Sequence, residues 1–303
     1  MKETGHVKVL VVGDIMLDKY IIGKVERICP EAPVPVVHVK EEYYTLGGCG
    51  HVCRNLRELG AQVDCMSSIS NDINGGLIIN ELDNIGAKNL CSYGSKQTIV
   101  KERIIADDRK VQMLRVDRET ISKIDSKRAI EVFLKDCRKV YDVIIVSDYA
   151  KGMITKELME FLKTLNTKII VDPKPINGFL YNDAYMITPN EKEWKIMKLS
   201  SKYSLKNVKF ILETKGKHGM ILYNKLNNKE YSIMSEPVEV YNVSGAGDTV
   251  VAVMGLCLSM NYSIHEAAIL ANKCAAYVVT QSGTTTVPKE IFEQVLKDLV
   301  CKI

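Results

Sequence analysis

Gly245-Ala246-Gly247-Asp248 stands between a strand-like run, Glu239–Val243, and an apolar stretch of helical character. Gly and Ala permit a tight turn and leave backbone N–H groups uncovered. At a helix N-terminus those groups, together with the helix dipole, attract a phosphate. Asp248, held beside the turn, could accept the proton of an attacking hydroxyl, while the rest of phosphoryl transfer is positioning and charge neutralisation. The competing use of Asp248 is to cap the helix, a common place for Asp.

Other residues bear on what would accept a phosphoryl group. Asp14 follows the first strand-like run, at the edge where open α/β sheets place ligands, and a carboxylate there can accept two sugar hydroxyls. An ordinary strand-end turn is the alternative. Lys101, Arg103 and Lys174 could bind a phosphate already on the substrate, since charge-assisted contacts are strong. Solvated surface charge is the default for any one of them. Cys49, His51 and Cys53 form a C-x-H-x-C group, but a structural zinc site needs a fourth ligand and no second pair of suitable spacing follows. These cysteines are expected to pack as small apolar residues.

Positioning such groups requires a framework. Val7–Val12, Val143–Ser147, Lys168–Asp172, Ala184–Ile187 and Lys209–Thr214 are short, aliphatic and bounded by polar or turn residues, as buried strands are. Ile73–Ile85, Thr155–Leu165 and Glu191–Leu199 carry apolar residues at helical spacing. This alternation predicts an open, mainly parallel sheet with helices on both faces. Tyr20–Leu46 and Thr98–Val116 interrupt it; both are β-prone and leave no room for a crossover helix. They are expected to leave the main sheet as an antiparallel flap that keeps water from a site at the strand ends. From Asp248 onward the chain should be mainly helical, over Thr249–Met260 and Ile264–Gln281.

Composition narrows the function classes. The 303 residues are 46% hydrophobic and 26% charged, and the net charge of +4 is spread without a basic block, so no nucleic-acid partner is expected. No apolar run approaches the ~20 residues that span a bilayer, and no signal-peptide pattern opens the chain. Nine cysteines, an odd number at irregular spacing, suit free thiols in a reducing cytoplasm better than a disulfide framework. A dinucleotide-dependent oxidoreductase would need G-x-G-x-x-G after the first strand, where the chain reads Gly13-Asp14-Ile15-Met16-Leu17-Asp18. A sugar- or nucleotide-binding regulator without turnover would not need a base at Asp248.

Asn242-Val243-Ser244-Gly245-Ala246-Gly247-Asp248-Thr249 resembles the C-terminal signature of the ribokinase-like (PfkB) carbohydrate kinases, D-x-x-G-A-G-D. The resemblance implies an anion hole at Gly245, Ala246 and Gly247 and a catalytic base at Asp248. Asn242 replaces the usual first Asp, which bears on local cation binding, and a monovalent cation is a candidate cofactor beside ATP and Mg2+. Thr188-Pro189-Asn190-Glu191-Lys192-Glu193 is similar to the family's N-x-x-E motif and implicates Asn190 and Glu193 in organising magnesium and phosphate. Thr214, Gly216 and Gly219 match the stretch lining the nucleotide pocket, and Asn272 and Gly283 match the helix and turn around the adenine. The implied fold is a three-layer α/β/α sandwich with a mainly parallel central sheet and a small β-sheet lid. It forms one kinase domain over 1–303, with lid strands at about 20–46 and 98–116 and no nucleotidyltransferase domain.

Within that family the N-terminal half resembles the kinases of D-glycero-D-manno-heptose 7-phosphate, often the first half of a bifunctional protein of ADP-heptose synthesis. Gly13 to Tyr20, Arg27 to Val36, Leu114 to Asp117, Ser147 to Gly152 and Val171 to Lys174 carry this likeness. It implicates Asp14, Gly47, Gly48, Asn55, Arg103, Asp148 and Lys174 in sugar-phosphate binding. His51 stands where the family usually has a sugar-binding Asn, and imidazole differs from an amide in reach and shape. A homodimer through the lid is implied, with a separate adenylyltransferase acting downstream.

Overall fold

The computed structural model describes residues 2–107, 111–136, 140–200, 205–281 and 283–300. Val9, Leu10, Val11 and Val12 are all buried, as a strand covered on both faces requires. Side chains alternate across a strand, so Val9 and Val11 enter one apolar core while Leu10 and Val12 enter another. Val143 and Ile145, against Ile144 and Val146, divide in the same way.

The central sheet runs Lys229–Ile233, Met220–Asn224, Phe210–Thr214, Met186–Ile187, Ile169–Asp172, Val143–Ser147, Lys8–Gly13, Gln62–Met66, Lys88–Asn89. The pairs from Phe210–Thr214 to Lys88–Asn89 are parallel, and the two strands beyond Phe210–Thr214 are antiparallel. Gly13 pairs with Ser147 and Ser147 with Asp172, so Asp14, Asp148 and Asp172 lie together at the carboxyl edge.

The second sheet gathers the two segments expected to form a flap, but it is mixed and not wholly antiparallel, because the two hairpins meet through a parallel pair. Pro35–Gly48 pairs antiparallel with Ile15–Ile28, which pairs parallel with Val100–Ala106, and Val111–Arg118 closes the outer edge. Residues 108–110, inside the second flap segment, lie outside the described residues.

The Ala246–Ser259 helix is apolar nearly all round and runs through the core, packed on the Ile264–Val279 and Cys49–Glu58 helices. Two expectations need correction. Glu239–Val243 forms no strand: the backbone N–H groups of Tyr241 and Asn242 both donate to the Val279 carbonyl, at a helix end, and the run stays exposed. The Ala184–Ile187 strand shortens to Met186–Ile187, because the Ala184 N–H closes a turn onto the Tyr181 carbonyl.

Candidate active site

Asp248 occupies the first turn of the Ala246–Ser259 helix, where a carboxylate is favoured by the dipole. Only 6% of it is exposed, and the Tyr149 hydroxyl donates to its Oδ1 at 2.8 Å. Burial pushes its pKa up to about 7, helped by the charge of Asp18 and opposed by the Tyr149 bond, Lys174 and Lys101. Gly245, the N-cap, has φ +83°, a conformation that glycine adopts without strain.

Tyr149 lies on the loop after Val143–Ser147. Asp14 holds that loop: Oδ2 accepts the N–H groups of Tyr149 (2.9 Å) and Lys151 (3.1 Å), and Oδ1 that of Met153 (2.9 Å). The carboxylate expected to meet sugar hydroxyls thus accepts three backbone amides, the kind of bonding that a strand-end turn uses, with acceptor capacity left on Oδ1. Asp148 is likewise fully buried and accepts bonds from Ala150 N–H, Asn177 Nδ2 and the Tyr181 hydroxyl.

Around Asp248 the charges converge. Lys174 Nζ lies 5.5 Å from the centroid of the Tyr149 ring and pairs with Glu193, while Lys101 Nζ lies 5.6 Å from the same ring. Asp172 is raised well above an ordinary carboxylate, first by burial and then, against the pull of Lys174, by Asp248, Glu193 and Asp148. Asn190 and Glu193 form a capping box on the Glu191–Leu199 helix: Asn190 Oδ1 accepts Glu193 N–H, and Glu193 Oε2 accepts Asn190 N–H, each at 3.0 Å.

Arg103 does not stand free for a phosphate. Its guanidinium bonds Asp18 at 2.6 Å and lies 5.3 Å from the Tyr20 ring centroid. Gly47 permits this, since a Cβ there would come within 2.4 Å of Asp18 Oδ2. Beyond Gly48 begins the Cys49–Glu58 helix. His51 is completely buried on it, with neither ring nitrogen hydrogen-bonded, instead of at an open sugar-contact wall. Burial first, then the Arg54 charge, push it down to about 3. Asn55 is equally buried; it donates to the His51 carbonyl and accepts the Thr249 hydroxyl at 3.3 Å, joining the two helices under Asp248. Cys49 and Cys53 both reach Cys65, and no three His, Cys, Asp or Glu side chains are grouped to hold a metal ion among the described residues.

A cavity of about 420 Å³ opens beside the turn, lined by Thr214, Gly216, Gly219, Ala246, Gly247 and Asn272, with apolar walls from Val240, Val250, Ala275 and Val279. Four of the residues expected around the nucleotide, Thr214, Gly216, Gly219 and Asn272, share this cavity, while Asn190, Glu193 and Gly283 do not line it. Gly283 lies on a second cavity of about 440 Å³ under the flap, with Tyr20, Arg103, Asn242 and Ser244. Tyr20 reaches across to Thr284 at 3.1 Å, tying flap to body. Tyr149, Asp18 and Asp172 escaped the sequence reading as functional residues, although each stands within a quoted motif.

The family model for pfkB family carbohydrate kinases matches residues 7–291. A bifunctional protein HldE of Desulfatibacillum aliphaticivorans is 38% identical over 96% of this chain and 63% of its own length. One of Citrifermentans bemidjiense is 37% identical over 95% and 63%. The chain thus spans less than two thirds of these relatives. Among solved structures, Escherichia coli phosphofructokinase-2 in complex with potassium superposes with TM-score 0.79 at 16% identity, covering 97% of this chain and 99% of that one. Ribokinase of Thermotoga maritima gives 0.69 at 21%, covering 96% and 99%. These two likenesses show the fold.

Proposed function

The chain belongs to the pfkB family of carbohydrate kinases, and from that premise we propose that it transfers the γ-phosphoryl group of ATP to the anomeric hydroxyl of D-glycero-D-manno-heptose 7-phosphate, giving the 1,7-bisphosphate. The observation that carries this reading is Asp248, buried on the first turn of its helix, bonded to Tyr149 and near Lys101 and Lys174. The sugar oxygen attacks the γ-phosphorus, its proton passes to Asp248, and the bond to the β,γ-bridging oxygen breaks to release ADP. Backbone N–H groups of Gly245 to Gly247 meet the charge on the transferred group. The 420 Å³ cavity, apolar and continuous with Gly247, suits the adenosine end of ATP.

The heptose 7-phosphate rests on the N-terminal motifs and on the relatives' printed name. Lys101 and Lys174, beside the Tyr149 ring, support an acceptor that already carries a phosphate. Magnesium would be held through Glu193 and Asn190. Their oxygens are hard donors but already accept bonds, and magnesium keeps several waters, so the pair fits a hydrated ion. When bound, the ion neutralises charge on the triphosphate. A monovalent cation near Asn242 belongs to the same reading.

A cytoplasmic homodimer would join through the flap, whose outer strand exposes Val111, Met113 and Leu114. Seven of the nine cysteines lie among the described residues and are free thiols, which agrees with a reducing compartment. No described helix is long and apolar enough to cross a membrane. Light scattering that gives a monomer at micromolar concentration removes the dimer. The substrate is decided by ATP consumption across a panel of sugars and sugar phosphates: heptose 7-phosphate must lead in kcat/KM by a wide margin, and another leader replaces it.

A further inference from the structure

We propose that Tyr149 is a positioning residue for phosphoryl transfer: its phenol fixes one oxygen of Asp248 so that the other meets the sugar hydroxyl, and its ring seats the two lysines that flank the transferred group. This rests on Asp248 being the base and adds a residue to that reading.

Three observations converge on this side chain. Its hydroxyl donates to Asp248 Oδ1 at 2.8 Å, and Oδ2 carries no hydrogen bond among the described residues, which leaves it as the acceptor. Lys101 and Lys174 lie 5.6 and 5.5 Å from the ring centroid, within the range where an aromatic face attracts an ammonium. Lys101 comes from the flap and Lys174 from the central sheet edge, so one ring organises cations from both sheets. The backbone N–H of Tyr149 is itself bonded to Asp14 Oδ2, which fixes the base of the side chain from the first strand.

The phenol acts only as a donor. Burial first, then the Asp248 charge, hold it well above its ordinary value, so it stays protonated wherever the protein is folded. During transfer the hydroxyl proton of the sugar moves to Asp248 Oδ2, and the phenol keeps its own. Because the phenol stabilises the carboxylate form, its loss should make Asp248 hold its proton to higher pH. Asp18 and Asp172, which favour the protonated form, and Lys174 and Lys101, which oppose it, all remain in Tyr149→Phe.

The test is the pH dependence of kcat/KM, between about pH 5.5 and 9, for the wild type and Tyr149→Phe, with ATP and the best acceptor of the sugar panel. The acid-side inflection should move up by about one unit, a roughly 10-fold loss on the acid limb that closes near the alkaline end. Replacing Tyr149 by 3-fluorotyrosine, a stronger donor, should move the inflection down, and this decides the matter should Tyr149→Phe fail to fold. Tyr149→Leu, which also removes the ring, should raise KM for the anionic sugar well beyond Tyr149→Phe. A Tyr149→Phe profile parallel to the wild type's, or uniformly depressed, overturns the phenol's role; equal KM in the Phe and Leu variants overturns the seating of the lysines. Near-wild-type turnover in Asp248→Asn removes the base itself. A collapsed Asp248→Asn beside an unshifted Tyr149→Phe profile removes only this proposal.

Discussion

The imidazole of His51 packs directly against Gly245: a Cβ on that glycine would stand 2.6 Å from Nε2. The N-cap of the Asp248 helix is thus pressed from below by a buried ring on the Cys49–Glu58 helix. The position of the Gly245–Gly247 turn is set by packing as well as by its own sequence.

Gly245→Ala meets two penalties at once, a positive φ and a contact closer than real Cβ atoms show. Strain of this kind costs roughly 1–3 kcal/mol, and displacement of the turn should lower turnover at least ~10-fold. Thermal midpoints and steady-state rates check this; an Ala variant matching the wild type in both would mean that His51 yields freely.

His51 supplies an acid sensitivity. Its folded value of about 3 lies below the ordinary histidine value of 6.5. Above the unfolded value both states are neutral and nothing is lost. As pH falls below it, the unfolded chain binds a proton that the folded chain refuses, so stability declines until the folded value is reached. By about pH 5 the loss should approach ~2 kcal/mol. His51→Asn should flatten that part of the stability–pH curve in urea titrations, and an unaltered slope would place the sensitivity elsewhere.

Much of the framework was legible in the sequence because buried parallel strands must be aliphatic on both faces, as Val9–Val12 and Val143–Val146 are. That Thr214, Gly216 and Gly219 would share one wall was legible because they cluster at one strand end, and Gly247 joins them from the first turn of the facing helix. Hydrogen-bond partners were not. Nothing in the type of Asp14 says whether its carboxylate meets hydroxyls or the amides of Tyr149, Lys151 and Met153, because those residues arrive from 135 or more positions away. His51 misled for a related reason: its neighbour Gly245 is distant in sequence, and burial is a property of the fold.

Asp14→Asn therefore separates two roles. An amide offers one acceptor oxygen where three backbone N–H groups now converge on two, so the variant should lose about 1–3 kcal/mol of stability. Turnover should fall with it, since the loop carries Tyr149. A raised sugar KM with an unchanged melting temperature would instead make Asp14 a sugar ligand.

Ala276→Trp tests the nucleotide cavity. Ala276 lines the 420 Å³ space, and an indole there competes with adenine for the apolar walls. KM for ATP should rise at least ~10-fold, the effect of about 1.4 kcal/mol, while sugar KM stays near its starting value. An unchanged ATP KM would place the base elsewhere.

Asp248→Asn should trade activity for stability. As base, Asp248 is needed ionised, and its removal should lower turnover by ~100- to 10,000-fold. In the folded state its value is raised to about 7 from 3.8, chiefly by burial. The neutral acid is tolerated, so stability is fully present below the unfolded value and is lost as pH rises through the folded one. Above that, the wild type carries an ionised carboxylate that the fold disfavours, offset in part by the Tyr149 bond. Asn cannot ionise and still accepts that bond. Urea denaturation should show the variant level with the wild type near pH 4 and more stable by roughly 1–4 kcal/mol near pH 8. Equal stability at both pH values would mean that burial does not raise Asp248, and the acid limb of the rate profile would then need another group.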